Sequence, residues 1–148
     1  MPTSTSSSTD EAQIRARLNR WTQALYARDI DALMSLYATD TITFDLMPPS
    51  QVQGAARYRQ NFERWFAAMS GPIAYEMHDL RITMSAEVAF CHSVSHIKAT
   101  RANGEPANYW VRVTVGFQKR NGQWMMIHDH VSMPFDMQTM KAVSDLQR

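Results

Sequence analysis

The spacing of apolar residues changes near Gly71 and Pro72, and this change limits the folds open to the chain. Before it, apolar side chains recur every three or four residues, which is the spacing of a helix face. After it, they alternate with polar side chains, as they do in a strand. Helices followed by strands predict an α+β domain in which the helices cover one face of a curved antiparallel sheet. We expect a pocket between the two layers.

Three helices are predicted in the first half of the chain. Ser8 and Glu11 fit a capping box at the start of the first helix, and Asp29 fits the N-cap of the second. The third helix begins after Gly54 and ends near Gly71. Residues 41–45 predict a short strand before the third helix. The three apolar stripes are Ile14, Leu18, Trp21 and Leu25; Ile30, Leu33, Met34, Leu36 and Tyr37; and Tyr58, Phe62, Trp65, Phe66 and Met69.

Four antiparallel strands are predicted in the second half. The first runs from Ile73 to Met84 and changes parity near His78, which indicates a bulge or a bend. The others are residues 88–99, 109–117 and 124–133, and the Asn-Gly pairs at 103–104 and 121–122 are typical of hairpin turns. We assign Ile97 and Trp110 to the outer face of the sheet. Because these side chains are too apolar for water alone, we expect two copies to pair there.

Length and charge exclude several classes of protein. The 148 residues suffice for one domain with its own core. Fifteen basic and fourteen acidic residues leave a net charge of +1, so neither a nucleic acid nor a membrane is an expected partner. A single cysteine, with no secretory signal at the amino terminus, favours the cytoplasm. We expect a disordered tail at residues 1–8, a domain at 9–137 and a second tail at 138–148.

Five segments carry a resemblance to a known family. They are WTQALYARDID at 21–31, LYATD at 36–40, FD at 44–45, EVAFCHSVS at 87–95 and GQWMMIHDHVS at 122–132. They are similar to the SnoaL-like and ketosteroid-isomerase-like members of the nuclear transport factor two superfamily. The resemblance covers roughly residues 11–136 and implies a cone-shaped barrel with an internal pocket. It leaves the activity open, because the fold hosts isomerases, cyclases, hydrolases, dehydratases and binding domains.

The resemblance also implies roles for four positions. It places the isomerases' general-base aspartate at Asp45 and their oxyanion-hole tyrosine at Trp21. Their second oxyanion donor, a protonated aspartic acid, falls on Val113, and a pocket tyrosine of some members falls on Tyr37. Loss of one oxyanion donor costs roughly 2.7–4 kcal/mol of transition-state stabilisation. We therefore expect the steroid isomerisation route not to operate.

Asp45 is the main catalytic candidate. It stands among apolar residues, between Phe44 and Leu46. If it points inward, desolvation would raise its pKa and make it a proton acceptor near neutral pH. The alternative is an exposed turn residue before Pro48.

His92 and His96 share the strand parity of Phe90. If that face is concave, all three line the pocket, and His92 can act as an acid, a base or a hydrogen-bond donor. Four residues along a strand span roughly 13 Å, so the two imidazoles do not share a metal easily. The alternative is a pair of hydrogen-bonded interior histidines.

His128 and His130 form an H-x-H pattern on one strand. This spacing suits a metal only if a third ligand approaches. The resemblance instead turns Asp129 towards the pocket, as a second carboxylate, and both histidines towards the outer face. A surface or ion-paired role for Asp129 stays open.

Two further sets complete the prediction. Cys91 lies on the parity that we assign to the outside and has no basic neighbour in sequence, so we interpret it as structural. Aromatic rings with a few polar groups are typical of small-molecule sites. The expected ligand-binding residues are Trp21, Tyr37, Phe62, Phe90, His96, Tyr109, Val113 and Asp129.

These observations predict a homodimeric protein without a cofactor that binds a small apolar organic molecule. If it is an enzyme, Asp45 transfers a proton, and His92 and Tyr37 orient the substrate, in isomerase, cyclase or lyase chemistry. A non-catalytic binding or assembly module is the second hypothesis. The third is a metal enzyme that uses His92, His96, His128 and His130, although the helical first half argues against it.

Overall fold

A computed structural model describes the backbone of residues 4–146 and the side chains from Ser8 onward. The three helices, the short strand before the third helix and the four strands of the meander follow one another in the order that the sequence predicts; three two-residue strands were not predicted. The helices are α1 (Ser4–Ala27), α2 (Ile30–Met34) and α3 (Ala55–Ala68). The strands are β1 (Tyr37–Phe44), β2 (Val52–Gln53), β3 (Met69–Met84), β4 (Val88–Arg101), β5 (Pro106–Arg120), β6 (Gln123–Ser132), β7 (Phe135–Asp136) and β8 (Lys141–Ala142).

The start of α1 differs from the prediction. The helix begins at Ser4, so Ser8 and Glu11 lie inside it and the capping box is wrong. Glu11 instead pairs with Arg15 one turn later, at 2.9 Å. Of the expected tail at 1–8, residues 1–3 lie outside the described residues and the rest are helical. The boundaries of the predicted domain stay a prediction.

Side chains and backbone groups determine where the other helices begin and end. Asp29 caps α2, because its carboxylate accepts a 3.0 Å hydrogen bond from the amide of Ala32. The helix ends at Met34, so that Tyr37 can begin β1. Arg28 donates hydrogen bonds to the carbonyl groups of Phe66 and Met69, at 2.5 and 2.9 Å. These bonds satisfy free carbonyls at the end of α3, before the Gly71 at which we predicted the stop.

Six strands form one sheet in the order β2-β1-β6-β5-β4-β3. The meander from β3 to β6 is antiparallel and confirms the predicted hairpins, whereas β1 pairs with β6 in parallel. The register of β3 against β4 shifts between His78 and Arg81, and Asp79 there has a φ of 56°. This irregularity is the predicted bulge, which keeps the apolar side chains on one face although their parity changes.

The helices cover one face of the sheet, which we call the inner face; the opposite side is the outer face. Ile97, which we assigned to the outer face, is 3% exposed and belongs to the core on the inner face, so that assignment is wrong. Its neighbour Trp110 does lie on the outer face, where its ring stacks on His96. The chain is therefore an α+β domain with three helices packed on a curved sheet.

The segment after β6 adds a small second sheet. Strands β7 and β8 pair with each other, and the carbonyl of Ser144 accepts a 2.8 Å hydrogen bond from the amide of Trp110. Part of the predicted carboxy-terminal tail therefore contacts the main sheet. Among the described residues, no helix is long and apolar enough to cross a membrane.

Candidate functional site

Four side chains form a hydrogen-bonded group inside the cone, which we call the inner cluster: Trp21, Tyr37, Tyr58 and Asp129. The indole of Trp21 donates to the hydroxyl of Tyr37 at 2.8 Å, and Tyr37 donates to Oδ2 of Asp129 at 2.6 Å. The hydroxyl of Tyr58 lies 3.4 Å from the same oxygen. All four are buried, and Asp129 is 5% exposed. The structure thus places a carboxyl group and two phenols at one point of the core.

Burial determines the electrostatics of the inner cluster. It raises the pKa of Asp129 to about 6, and the bonds from the two tyrosines oppose that shift only in part. Burial, followed by the charge of Asp129, raises the pKa of Tyr37 and of Tyr58 well above its ordinary value. Both phenols therefore keep their protons and act as hydrogen-bond donors, whereas Asp129 exchanges its proton close to neutral pH.

Three secondary-structure elements bring the inner cluster together. Asp129 lies on the inner face of β6, Tyr37 begins β1, and Tyr58 lies on the buried side of α3. The rings of Tyr37 and Tyr58 meet edge to face, with centroids 5.3 Å apart. Phe62 packs against both rings, with centroids 6.3 Å from Tyr37 and 4.8 Å from Tyr58.

A second group, which we call the rim cluster, consists of Asp45, Asn61, Trp65 and Tyr109. Asp45 follows β1 and is half-buried; its carboxylate accepts hydrogen bonds from the amide of Leu46 and from Asn61, both at 2.7 Å. Tyr109 forms a side-chain hydrogen bond with Trp65, and its pKa is raised, chiefly by burial. The charge of Asp45 contributes to the raised pKa values of Tyr58, Tyr109 and Asp129. The rim cluster is thus electrostatically coupled to the inner cluster.

Two buried hydroxyl groups on β1, one of them opposite Asp129, have no hydrogen-bond partner among the described residues. Thr41 and Thr43 are fully buried on β1, and neither Oγ1 atom forms a hydrogen bond in the part of the chain that the structure describes. Thr43 is directly opposite Asp129 in the pairing of β1 with β6. A buried hydroxyl without a partner costs stability, so these atoms are free to bond a polar group that enters the core.

The predicted inward orientation of Phe90, His92 and His96 is wrong. Phe90 is 47% exposed, His92 is exposed, and His96 stacks on Trp110 with its Nε2 2.5 Å from Asn108, all on the outer face. The residues of β4 that point inward have the opposite parity and are Ala89, Cys91, Ser93, Ser95 and Ile97. Cys91 and Ser93 pair with Val115 and Val113, which belong to the core. This set of β4 residues therefore lies on the face that the helices cover.

Cys91 is accordingly an inner-face residue. It is 3% exposed, and burial raises the pKa of its thiol to about 12. A buried thiol with this pKa is not a nucleophile, which agrees with the structural role that we predicted. Val113 also points inward.

His128 and His130 lie on the outer face, as the resemblance implies, while Asp129 between them points inward. Nδ1 of His128 donates to the carbonyl of Ile42 at 2.6 Å, and Phe44 contacts both imidazole rings. No group of three potential ligands among the described residues could hold a metal ion.

Two open depressions lie along the seam between α1 and β3. They have volumes of about 380 and 280 Å³ and share the residues Thr22 and Tyr75. Neither is lined by Asp45 or Asp129. The ring of Tyr75 lies 4.8 Å from that of Trp21, so two aromatic rings and Tyr37 separate the depressions from Asp129. The predicted internal pocket therefore stays a prediction.

The sequence reasoning missed Tyr58, Asn61 and the two threonines. Tyr58 was counted only as part of an apolar stripe, although a buried tyrosine hydroxyl usually requires a partner. That requirement was the signal for a polar group facing α3. Asn61 and the threonines gave no comparable signal, because their environment depends on which residues the sheet brings near them.

Comparison with known proteins places this arrangement in a family. The model of the SnoaL-like domain matches residues 14–136. A nuclear transport factor 2-like protein of unknown function from Pseudomonas putida KT2440 is 33% identical; the match covers 95% of this chain and 98% of that one, with a TM-score of 0.86. The chain belongs to the SnoaL-like family.

More distant structures share the fold alone. A ketosteroid isomerase-like protein from Erwinia carotovora is 22% identical over 82% of this chain and 93% of that one, with a TM-score of 0.70. A candidate scytalone dehydratase from Novosphingobium aromaticivorans is 14% identical over 97% of each chain, with a TM-score of 0.80. No curated protein matches the chain.

Proposed function

We propose that this protein binds a small, largely apolar organic molecule between the inner and rim clusters and transfers a proton on it. The chemistry is that of an isomerase, cyclase or lyase without a cofactor. Asp45 takes the proton from the substrate, and the inner cluster binds the substrate oxygen on which negative charge develops.

The observation that carries this proposal is the environment of Asp129. A carboxyl group that is 5% exposed, with a pKa raised to about 6 and a 2.6 Å bond from Tyr37, is costly for a fold to retain without a use. Strongly perturbed titratable groups cluster at functional sites. Aromatic walls around a few polar groups are also the usual composition of a small-molecule site.

The two carboxyl groups have environments suited to different roles. Asp45 is half-buried, and its carboxylate accepts two hydrogen bonds that hold it in place at the rim, where it can take a proton from a substrate. Burial instead favours the neutral form of Asp129, which can donate a proton to an oxygen, as can the phenol of Tyr58. The free hydroxyls of Thr41 and Thr43 offer further bonds to the same oxygen.

Two of the distant structural neighbours are described as candidate dehydratases. Dehydration removes a proton from carbon and a hydroxyl from its neighbour, so it needs a base and an acid at separate points. The rim and inner clusters supply such a pair, which supports lyase chemistry for this chain.

Exchange of an acidic C–H proton tests the proposal without knowledge of the substrate. 2-Tetralone serves as the probe, and its deuterium uptake in D2O is followed by NMR. We expect the protein to accelerate uptake and Asp45→Asn to reduce that acceleration about 100-fold or more, the usual contribution of a general base.

Asp40→Asn is the matched control. Asp40 lies on β1 as well, but it is exposed and pairs with Arg120 at 2.6 Å, on the other side of the strand from the core. We expect this variant to exchange the probe at the wild-type rate. Equal acceleration by the wild type and by Asp45→Asn would refute the base role of Asp45. Binding of 2-tetralone without exchange would favour a non-catalytic binding module.

Exposed apolar residues on the outer face support the predicted pairing of two copies. Ile42, Phe44 and Phe90 are 41%, 37% and 47% exposed, and a protein rarely leaves such a group to water. We propose a homodimer through this face. Its association state is measured by sedimentation equilibrium.

A further inference from the structure

All five histidines of the chain lie on the outer face. The sequence contains five, and the three strands β3, β4 and β6 carry His78, His92, His96, His128 and His130 there. Pairing across the strands places Thr114 opposite both His92 and His130, and Trp110 opposite His96. Histidine is the side chain best suited to a change of charge near physiological pH, and all five histidines of this chain belong to one surface.

The outer face has exposed apolar residues at one end and along its β1 edge, together with several ionisable groups. Its other ionisable groups are Glu76, Asp79 and Arg81 on β3, Lys98 on β4, Arg112 and Arg120 on β5, and Asp40 on β1. The segment whose Ser144 carbonyl accepts the hydrogen bond from Trp110 adds Lys141 and Asp145. Glu76 lies 3.4 Å from His78 and 4.0 Å from His96, and it also reaches Lys98 at 3.9 Å. Protonation of all five imidazoles would double the number of cations on this face.

The size of the outer face fits a second copy of the chain. Five strands at about 4.8 Å spacing and about ten residues in length give a face of roughly 24 by 33 Å, or about 800 Å². A stable interface of standard size takes about 800 Å² from each partner. The exposed Val88 and Phe90 lie at one end of this face, and Ile42 and Phe44 lie at its β1 edge.

We propose that the outer face binds a second copy of the chain at neutral pH and releases it when the histidines take up protons. The proposal rests on the dimer proposed above and adds its regulation. Neutral imidazoles can pack against apolar residues, as His96 packs on Trp110 with ring centroids 4.2 Å apart. Protonated imidazoles on two facing sheets repel one another and lose water on docking, which weakens association.

Sedimentation equilibrium at pH 7.5 and 5.5, at one ionic strength, tests the proposal. We expect the dimer Kd to rise about 100-fold over these two pH units, which corresponds to the net release of one proton when the dimer forms. Far-UV circular dichroism at both pH values checks that the chain stays folded.

Variants identify the titrating groups. The triple variant His92→Gln, His128→Gln, His130→Gln keeps these three positions uncharged at both pH values. It is expected to lose most of the pH dependence. His130→Arg carries a permanent charge and is expected to raise the Kd at pH 7.5. Asp129→Asn is the control, because Asp129 titrates in the same range but on the inner face; it should leave the pH dependence unchanged.

The outcomes separate the two proposals. A monomer at both pH values, at the highest soluble concentration, refutes the dimer and the switch together. A dimer with the same Kd at pH 7.5 and 5.5 refutes the switch and leaves the dimer intact. A pH dependence that survives in the triple variant but disappears in Asp129→Asn would assign the titration to the core instead.

Discussion

The inner and outer faces of the sheet are built from alternate residues of the same strands, yet they have opposite chemistry. On β4, Cys91, Ser93 and Ser95 are buried beneath the helices, whereas His92 between them is exposed. On β6 the order is reversed, with Asp129 inward and a histidine on each side of it outward. The comparison shows that register, rather than residue type, decides whether a titratable group belongs to a core site or to a surface.

The largest expected effect is a difference in the free energy of unfolding between substitutions on the two faces. Phe117→Ala removes a fully buried ring of the inner face and should lower the free energy of unfolding by about 3–5 kcal/mol. Val88→Ala on the exposed face should lower it by less than about 0.5 kcal/mol. Urea denaturation at low protein concentration measures both. Similar losses in the two variants would contradict the assignment of the faces.

Asp129 makes the stability of the folded chain depend on pH. Because burial raises its pKa from the ordinary value of 3.8 to about 6 in the folded state, its contribution to stability is present below pH 4 and is lost as the pH rises through 6. We expect the stability of the wild type, relative to Asp129→Asn, to fall by about 2.5 kcal/mol between pH 4 and 7.5. Urea titrations of both proteins measure this difference. A difference that is constant with pH would contradict the raised pKa.

Tyr37 and Tyr58 should differ although both face Asp129. Tyr37→Phe breaks the 2.6 Å bond and leaves the indole of Trp21 without its acceptor, so we expect a loss of about 1–3 kcal/mol. Tyr58→Phe removes only a 3.4 Å contact and should cost less than half as much. The midpoints of thermal unfolding compare the two variants. A larger effect of Tyr58→Phe would contradict the expectation that the bond of Tyr37 contributes more to stability.

The smallest expected signal comes from Cys91. Its thiol is buried and its pKa is raised to about 12, so we expect no reaction with a thiol reagent in the native protein at pH 8. Reaction should begin only at the urea concentration that unfolds the chain. Rapid native labelling would show that the inner face opens to solvent.

The sequence predicted the elements better than the side of the sheet on which each residue lies. The hairpins of the meander followed from Asn-Gly pairs and from alternation, which are local properties. The orientation of β4 did not, because both of its parities contain apolar residues and the inward one also contains Ser93 and Ser95. Its exposed parity, with Phe90 and Val94, looked equally suited to the core.

Within the candidate site, the sequence indicated Asp45, Tyr37 and Asp129 but not their connections. Tyr58 lies 71 residues from Asp129 and Tyr37 lies 92 residues from it, so these bonds form only through the complete fold. The sequence also did not predict that α1 begins at Ser4. Serine and threonine are weak helix formers, and the signal at Ser8 favoured a cap.

The parallel pairing of β1 with β6 has a consequence for synthesis of the chain. Ile42 and His128 are partners across this pair, and 86 residues separate them. On a ribosome, β1 therefore emerges long before the strand that will flank it, and its edge stays open while the meander is still being translated. Contacts of such long sequence separation slow folding, and the polar centre around Asp129 can be completed only once nearly the whole polypeptide has been made.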